Sequence, residues 1–374
     1  MEEHNIAMDV NQDEGLIELT SNPMLGDGVH KTLDDEESEI KFENLEISDS
    51  YIDAAKNTRT MSSFLILNSM IGSGIFNQPY VFSQSGVGTG VILLTSASFF
   101  VWLGITAMIE TGIQTSTYDF SSLGFVCLGQ LGANAVDISI IVTGVGSIMS
   151  YIAIIGHLST LLLASWGWTY AAERGIYLIT SILIFVFVLP FCLYRNFGHF
   201  AFISLLSMGS VVCVIILLIT AGPVISHNDI TTTQFFEARA VGQLGSIIFA
   251  LNCSANVFPT YKCIEDRYKN KSGWRKIAFF SVVIAYFAIL TMGLGGYLIF
   301  GTQTDAIIVT NFKSHYADPF KILAIVHLML YTPLDFVILR QSILKVTGVG
   351  QSGHLKSTVL HALCSTLILG GNLN

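Results

Sequence analysis

Nine stretches of this chain are apolar over about the 20 residues that a helix needs to cross a bilayer core roughly 30 Å thick, and they follow one another down the sequence. They lie near 61–83, 88–113, 135–165, 175–194, 199–225, 241–263, 276–300, 319–343 and 357–372. Lipid offers no hydrogen bonds to an open sheet edge, and a barrel would show strands of about ten alternating residues. The fold class is therefore all-α and the chain is an integral membrane protein of many passes. Composition agrees, with 52% hydrophobic and 12% charged residues and a mean hydropathy of +0.61, where a soluble domain has about a quarter of its residues charged.

The charge is unevenly placed. Many of the 27 acidic residues precede Asp53, in runs such as DDEESE that carry almost no apolar periodicity, so residues 1–58 read as an acidic disordered tail and 59–374 as the transmembrane domain. The loop KCIEDRYKNKSGWRK, with Lys262, Arg267, Lys269, Lys271, Arg275 and Lys276, is the densest basic patch. The positive-inside rule puts it in the cytoplasm, and an even number of crossings puts the N-terminus there too. Cys213, Cys253 and Cys364 fall inside apolar runs, which argues against a disulfide framework. No metal-ligand spacing and no phosphate-binding loop is visible, so no metal, cofactor, catalytic residue or nucleic-acid partner is expected.

The first apolar run contains NSMIGSGIFNQPYVF, residues 68–82. Unwound backbone is tolerated at membrane depth only where protein buries it or water reaches it. Gly72 and Gly74 lack a Cβ and Pro79 lacks an amide proton, so the run reads as two half-helices. The second half-helix would then aim free amides and a positive dipole end into the gap, suiting a carboxylate. Asn68 and Ser69, a turn earlier, can face the same gap. The alternative is that the glycines only let two helices pack closely. The sixth run, FALNCSANVFPTY, is interrupted in the same way, and paired interruptions five spans apart point to a transporter built from inverted repeats.

These residues resemble the amino acid/auxin permease family. Asn68, Gly72, Ser73, Gly74, Ile75, Pro79 and Val81 are similar to its N-x-x-x-G-[ST]-G-[IV]-L-x-x-P-x-[AV] signature. CSANVFPTY is similar to its C-H-P-E-V-L-P-x-Y segment, and Pro333 with Arg340 to the ending of its eighth helix. The resemblance implies a five-plus-five inverted-repeat fold with broken helices one and six, of which the last helices would lie beyond this chain. It also implies secondary active amino acid transport driven by sodium or protons. The substrate-binding candidates are then Gly72, Ser73 and Gly74 for its carboxylate, Ile75 beside them, and Asn252, Ser254 and Asn256 helping to hold its amino group. A coupling ion would use Asn68, Ser69 and Thr332. His-Pro-Glu is replaced here by Ser254, Ala255 and Asn256, which removes a titratable carboxylate.

Charged groups at membrane depth are treated as functional until explained. Glu110 and Asp137 read as helix-end residues, and His157 as a packed histidine. His327 and Asp335 lie deeper in the eighth run. Both are candidates for a proton relay, with an ion pair to Arg340 the alternative for Asp335. Two functions fit: transport of small, neutral amino acids across a plasma or vacuolar/lysosomal membrane, and a sensor that binds the amino acid at the same site and signals with little flux.

Overall fold

The computed structural model describes residues 57–168, 176–193, 200–225, 234–312 and 317–347. The expected ninth span at 357–372, and the expected tail apart from its last two residues, lie outside them. Among the described residues the regular elements are helical, apart from one isolated bridge between Asn57 and Ile264. They are α1 (Arg59–Met70), α2 (Gly74–Ser85), α3 (Val87–Thr115), α4 (Phe120–Ser165), α5 (Ile176–Leu183), α6 (Leu189–Cys192), α7 (Phe200–Ile225), α8 (Leu244–Ala250), α9 (Val257–Lys262), α10 (Lys271–Phe300) and α11 (Asp318–Val346). A π-turn at Ile184–Val188 joins α5 to α6. Among the described residues six stretches are long and apolar enough to cross a membrane.

Local chemistry sets the starts. Thr58 accepts from the Met61 amide at 3.4 Å ahead of α1, Asp119 from the Ser122 amide at 3.1 Å ahead of α4, and Asn270 from the Gly273 amide at 2.7 Å ahead of α10. Each side chain satisfies one of the amides that a helix N-terminus leaves unpaired. Both interruptions expected from the sequence are present. The first run breaks over Ile71–Ser73, where Ile71 has φ −99° and ψ 75°. The sixth breaks over Leu251–Cys253 and resumes through a 3-10 turn at Ser254–Asn256.

The third run differs from the expectation of 135–165. Its helix begins at Phe120 and turns sharply at Leu128 and Gly129, the latter with φ 63°. That left-handed value suits glycine. The stretch before the turn folds back on the stretch after it, so closely that a Cβ on Gly124 would stand 2.9 Å from the Gly132 carbonyl oxygen. Asp137 is thereby not a helix-end residue reached by interfacial water. It is 5% exposed and accepts a hydrogen bond from the Ser121 hydroxyl across the fold-back. His157 is exposed on the outer face of α4 rather than packed. Glu110, near the end of α3, takes an ion pair from Arg275 at 2.5 Å.

Two groups of helices pack around a shared interior. α10 carries α1, α2 and α3, whereas α11 packs mainly on α4 and α7. The outward surface is apolar, with Phe100, Phe202 and Val241 exposed by 68%, 70% and 81%, as expected where the surrounding solvent is hydrocarbon. Asn57 exchanges backbone hydrogen bonds with the loop after α9, to the Cys263 carbonyl at 2.7 Å and from the Glu265 amide at 3.1 Å. The start of the domain and the basic loop therefore share one end, called the basic end below.

Candidate functional site

Both helix breaks open on one cavity of about 290 Å³ between the two helix groups. Ser69, Gly72, Ser73 and Gly74 from the first break, and Asn252, Cys253, Ser254 and Asn256 from the second, form one wall. The facing wall comes from α4, through Ser139, Thr143, Ser147 and Tyr151, and from α11, through Tyr331 and Asp335.

At the first break the helix restarts with hydrogen bonds from the Ile75 amide to the Gly72 carbonyl at 3.5 Å and from Phe76 to Ser73 at 3.1 Å. The amides ahead of that first turn have no intrahelical acceptor, and Ser73 does not cap them with its side chain. This is the arrangement that receives an anion. The two glycines have different neighbours. A Cβ on Gly72 would stand 3.0 Å from the Tyr331 ring, whereas one on Gly74 would stand 2.8 Å from the Cα of Ala250 in α8. Gly74 thus serves the close packing of the two broken helices as well as lining the cavity.

Asp335 sits on the facing wall. The Tyr151 hydroxyl donates to its Oδ2 at 2.8 Å. The Tyr331 hydroxyl lies 3.1 Å from the Ser69 carbonyl and 3.4 Å from Asp335 Oδ1. One hydroxyl carries one proton, so the Ser69 carbonyl and Asp335 Oδ1 share it. The Asn256 side chain donates a hydrogen bond to the carboxylate, while its own Oδ1 is buried without a hydrogen-bond partner. Arg340, the alternative partner for Asp335, instead donates to the Cys192 carbonyl at 2.6 Å.

The remaining sequence candidates separate. Asn252 Oδ1 accepts from the Ser254 hydroxyl at 3.0 Å, within the second break. Asn68, Ile75, Thr332 and His327 are fully buried behind the cavity rather than in its lining. Asn68 donates to the Ser204 hydroxyl at 3.1 Å, and Thr332 to the Leu328 carbonyl at 2.6 Å. The Ser69 hydroxyl lies 2.9 Å from the Ile66 carbonyl. His327 shares a hydrogen bond of 2.8 Å with the Ser207 hydroxyl and stands edge-on to Phe76, bracing α7 and α2 against α11. Sequence reasoning missed Ser139, Thr143, Ser147 and Tyr151. Their signal was available, because polar residues at every fourth position make one polar stripe on an otherwise apolar helix.

Two further spaces adjoin the cavity. One of about 420 Å³ shares Ser73, Gly74 and Phe249 with it and extends to Asn77, Ala306 and Ile307. Towards the basic end a recess of only about 40 Å³ shares Phe120, Ile140, Ala255 and Ile338. There Lys345 at the end of α11 pairs with Asp119 at 2.7 Å, beside Phe120. Burial raises the Asp119 carboxyl. The charge and hydrogen bond of Lys345, the Ser122 amide and the charge of Lys262 outweigh it and hold the group below its ordinary value of 3.8.

Residues 55–368 match the family described as transmembrane amino acid transporter protein. Relatives include proteins named "Putative sodium-coupled neutral amino acid transporter 11". The Danio rerio protein is 28% identical over 259 residues, covering 67% of this chain and 57% of that protein. The Rattus norvegicus and Mus musculus proteins are 24% and 25% identical, each over 69% of this chain and 57% of the relative. The chain thus spans little more than half the length of these relatives.

Proposed function

Because the chain belongs to the transmembrane amino acid transporter family, a family of multi-pass membrane carriers and not of enzymes, we propose that it carries small, neutral amino acids across a membrane by secondary active transport. The observation that carries this reading is the meeting of two helix breaks in one cavity with a carboxylate on its far wall. A volume of about 290 Å³ lies at the low end of the roughly 300–1,000 Å³ usual for ligand sites, in keeping with a small cargo.

In this reading the cargo carboxylate meets the amides ahead of α2, and the broken helices belong to two inverted repeats of five. The large space beyond Asn77 is one route to the cavity, and the recess at Phe120 is the closed route. Rocking of the α1–α3 and α10 group against α4 and α11 would exchange them. The basic end faces the cytoplasm, on the positive-inside rule, and residues 1–58 form a tail on that side. The name of the relatives favours sodium as the coupling ion, with Asn68, Ser69 and Thr332 around the first break its nearest side-chain oxygens. The test is uptake of a labelled neutral amino acid into proteoliposomes under an imposed gradient, with and without sodium and at two pH values. Accumulation that needs sodium supports the full reading, and accumulation that follows pH alone moves the coupling to protons. Saturable binding without accumulation under any gradient would overturn transport in favour of a sensor.

A further inference from the structure

We propose that Asp335 is the anchor for the cargo's α-ammonium group, so that the cavity selects a dipolar molecule with a free amine and rejects carboxylates that lack one. The inference rests on the transport reading above and goes beyond it by assigning the positive end of the cargo to a residue of α11. Read from the sequence alone, Asn252, Ser254 and Asn256 of the second break help to hold that end.

The argument starts from charge. Among the described residues that line the cavity, Asp335 is the only acidic side chain, and none is Lys, Arg or His. A carboxylate at membrane depth needs a partner of opposite charge or a full set of donors. Asp335 accepts from Tyr151 at 2.8 Å and from the Asn256 side chain, and shares the single proton of Tyr331 with the nearer Ser69 carbonyl. A carboxylate has about four accepting sites, so these donors leave it spare capacity towards the cavity and no positive charge beside it. A second acceptor lies beside it, since Asn256 is 4% exposed, faces the carboxylate and has an Oδ1 with no partner. An ammonium group carries three donors and no acceptor. It satisfies both oxygens at once and supplies the missing positive charge.

Geometry fixes the other end of the cargo. Tyr331 links the two poles, because its hydroxyl touches the carbonyl of Ser69, next to the first break, while its chain neighbour one turn on is Asp335. The amides ahead of α2 and the Asp335 carboxylate thus face one another across a space lined in common. A molecule with a carboxylate and an ammonium on the same carbon spans such a pair. An α-hydroxy acid of the same shape offers the carboxylate but leaves Asp335 without its counter-charge.

The experiment uses the full chain in proteoliposomes and compares uptake of labelled alanine with that of lactate, its α-hydroxy analogue. The wild-type protein is expected to prefer alanine by about 100-fold or more, since leaving a desolvated charge unpaired is among the larger penalties in recognition. In Asp335→Asn the preference should fall to within a few fold, mainly through a rise in KM for alanine. The wild-type comparison needs no variant, and equal uptake of alanine and lactate would overturn the proposal even if Asp335→Asn failed to fold. An Asp335→Asn protein that keeps the preference but loses its response to the driving gradient would also overturn it, by giving Asp335 to the coupling ion. Absence of uptake of any amino acid by the wild type would instead be the failure of the transport reading.

Discussion

Lys345→Met should open the basic end of the molecule. The Lys345–Asp119 pair ties the start of α4, and with it Phe120, to the end of α11 at 2.7 Å. Phe120 lines both the central cavity and the small recess beyond it, so releasing its segment removes the floor. Loss of one member of a fully buried pair destabilises by about 3–5 kcal/mol, and loss of an exposed pair by about 0–1 kcal/mol. The side chains here are 9% and 35% exposed, and screening at Asp119 keeps the effect near about 1–2 kcal/mol. That is about a 5- to 30-fold shift towards the form open at this end. The assay is the rate at which a hydrophilic maleimide modifies a cysteine placed at Ser342, which lines the recess, in otherwise unchanged protein and in Lys345→Met. A double-mutant cycle with Asp119→Asn should show the double variant scarcely faster than either single one. Equal rates in all four proteins would refute the latch. Because Asp119 is held below 3.8 in the folded state, its contribution is present above that pH and is lost as pH falls further, towards the folded value. The maleimide reacts with the thiolate, so every rate rises with pH, but the ratio of the Lys345→Met rate to that of the otherwise unchanged protein should stay flat between about pH 5 and 8, above the ordinary carboxylate range.

Other outcomes follow from the same packing. Gly74→Ala drives a methyl group against the Ala250 backbone and should lower stability by about 1–3 kcal/mol, read as a lower melting temperature of the purified protein. Gly72→Ala meets the end of the Tyr331 side chain first, at 3.0 Å, rather than backbone, and should change KM for the amino acid with a smaller loss of stability. Tyr331→Phe removes the donor to the Ser69 carbonyl and leaves a buried acceptor unpaired, for a destabilisation of about 1–3 kcal/mol together with weakened uptake.

Much of this arrangement is legible in the residues. The breaks follow from Gly72, Gly74 and Pro79 and from the polar interruption before Pro259, because each conflicts locally with a continuous helix. Those signals are local, and so a sequence carries them. The start of α4 was not legible in the same way. FSSLGFVCLGQLGANAVD is too polar and glycine-rich to read as a span, and its helicity depends on the fold-back at Gly129 and the Ser121–Asp137 bond. The partner of Asp335 was equally hidden, since Tyr151 lies 184 residues away in the chain and only the packing of α4 on α11 brings them together. His327 shows the converse limit. Its depth was evident, but its orientation towards Ser207 instead of the cavity is a property of three helices at once.

The central claim, that an amino acid occupies the space between the two breaks, is tested most directly by substrate protection at Ser139, a member of the polar stripe that faces both breaks. In Ser139→Cys, modification by a small hydrophilic thiol reagent should abolish uptake, and a transported neutral amino acid should slow that modification in proportion to its occupancy. Uptake that survives complete modification, with no protection by any transported amino acid, would contradict the account.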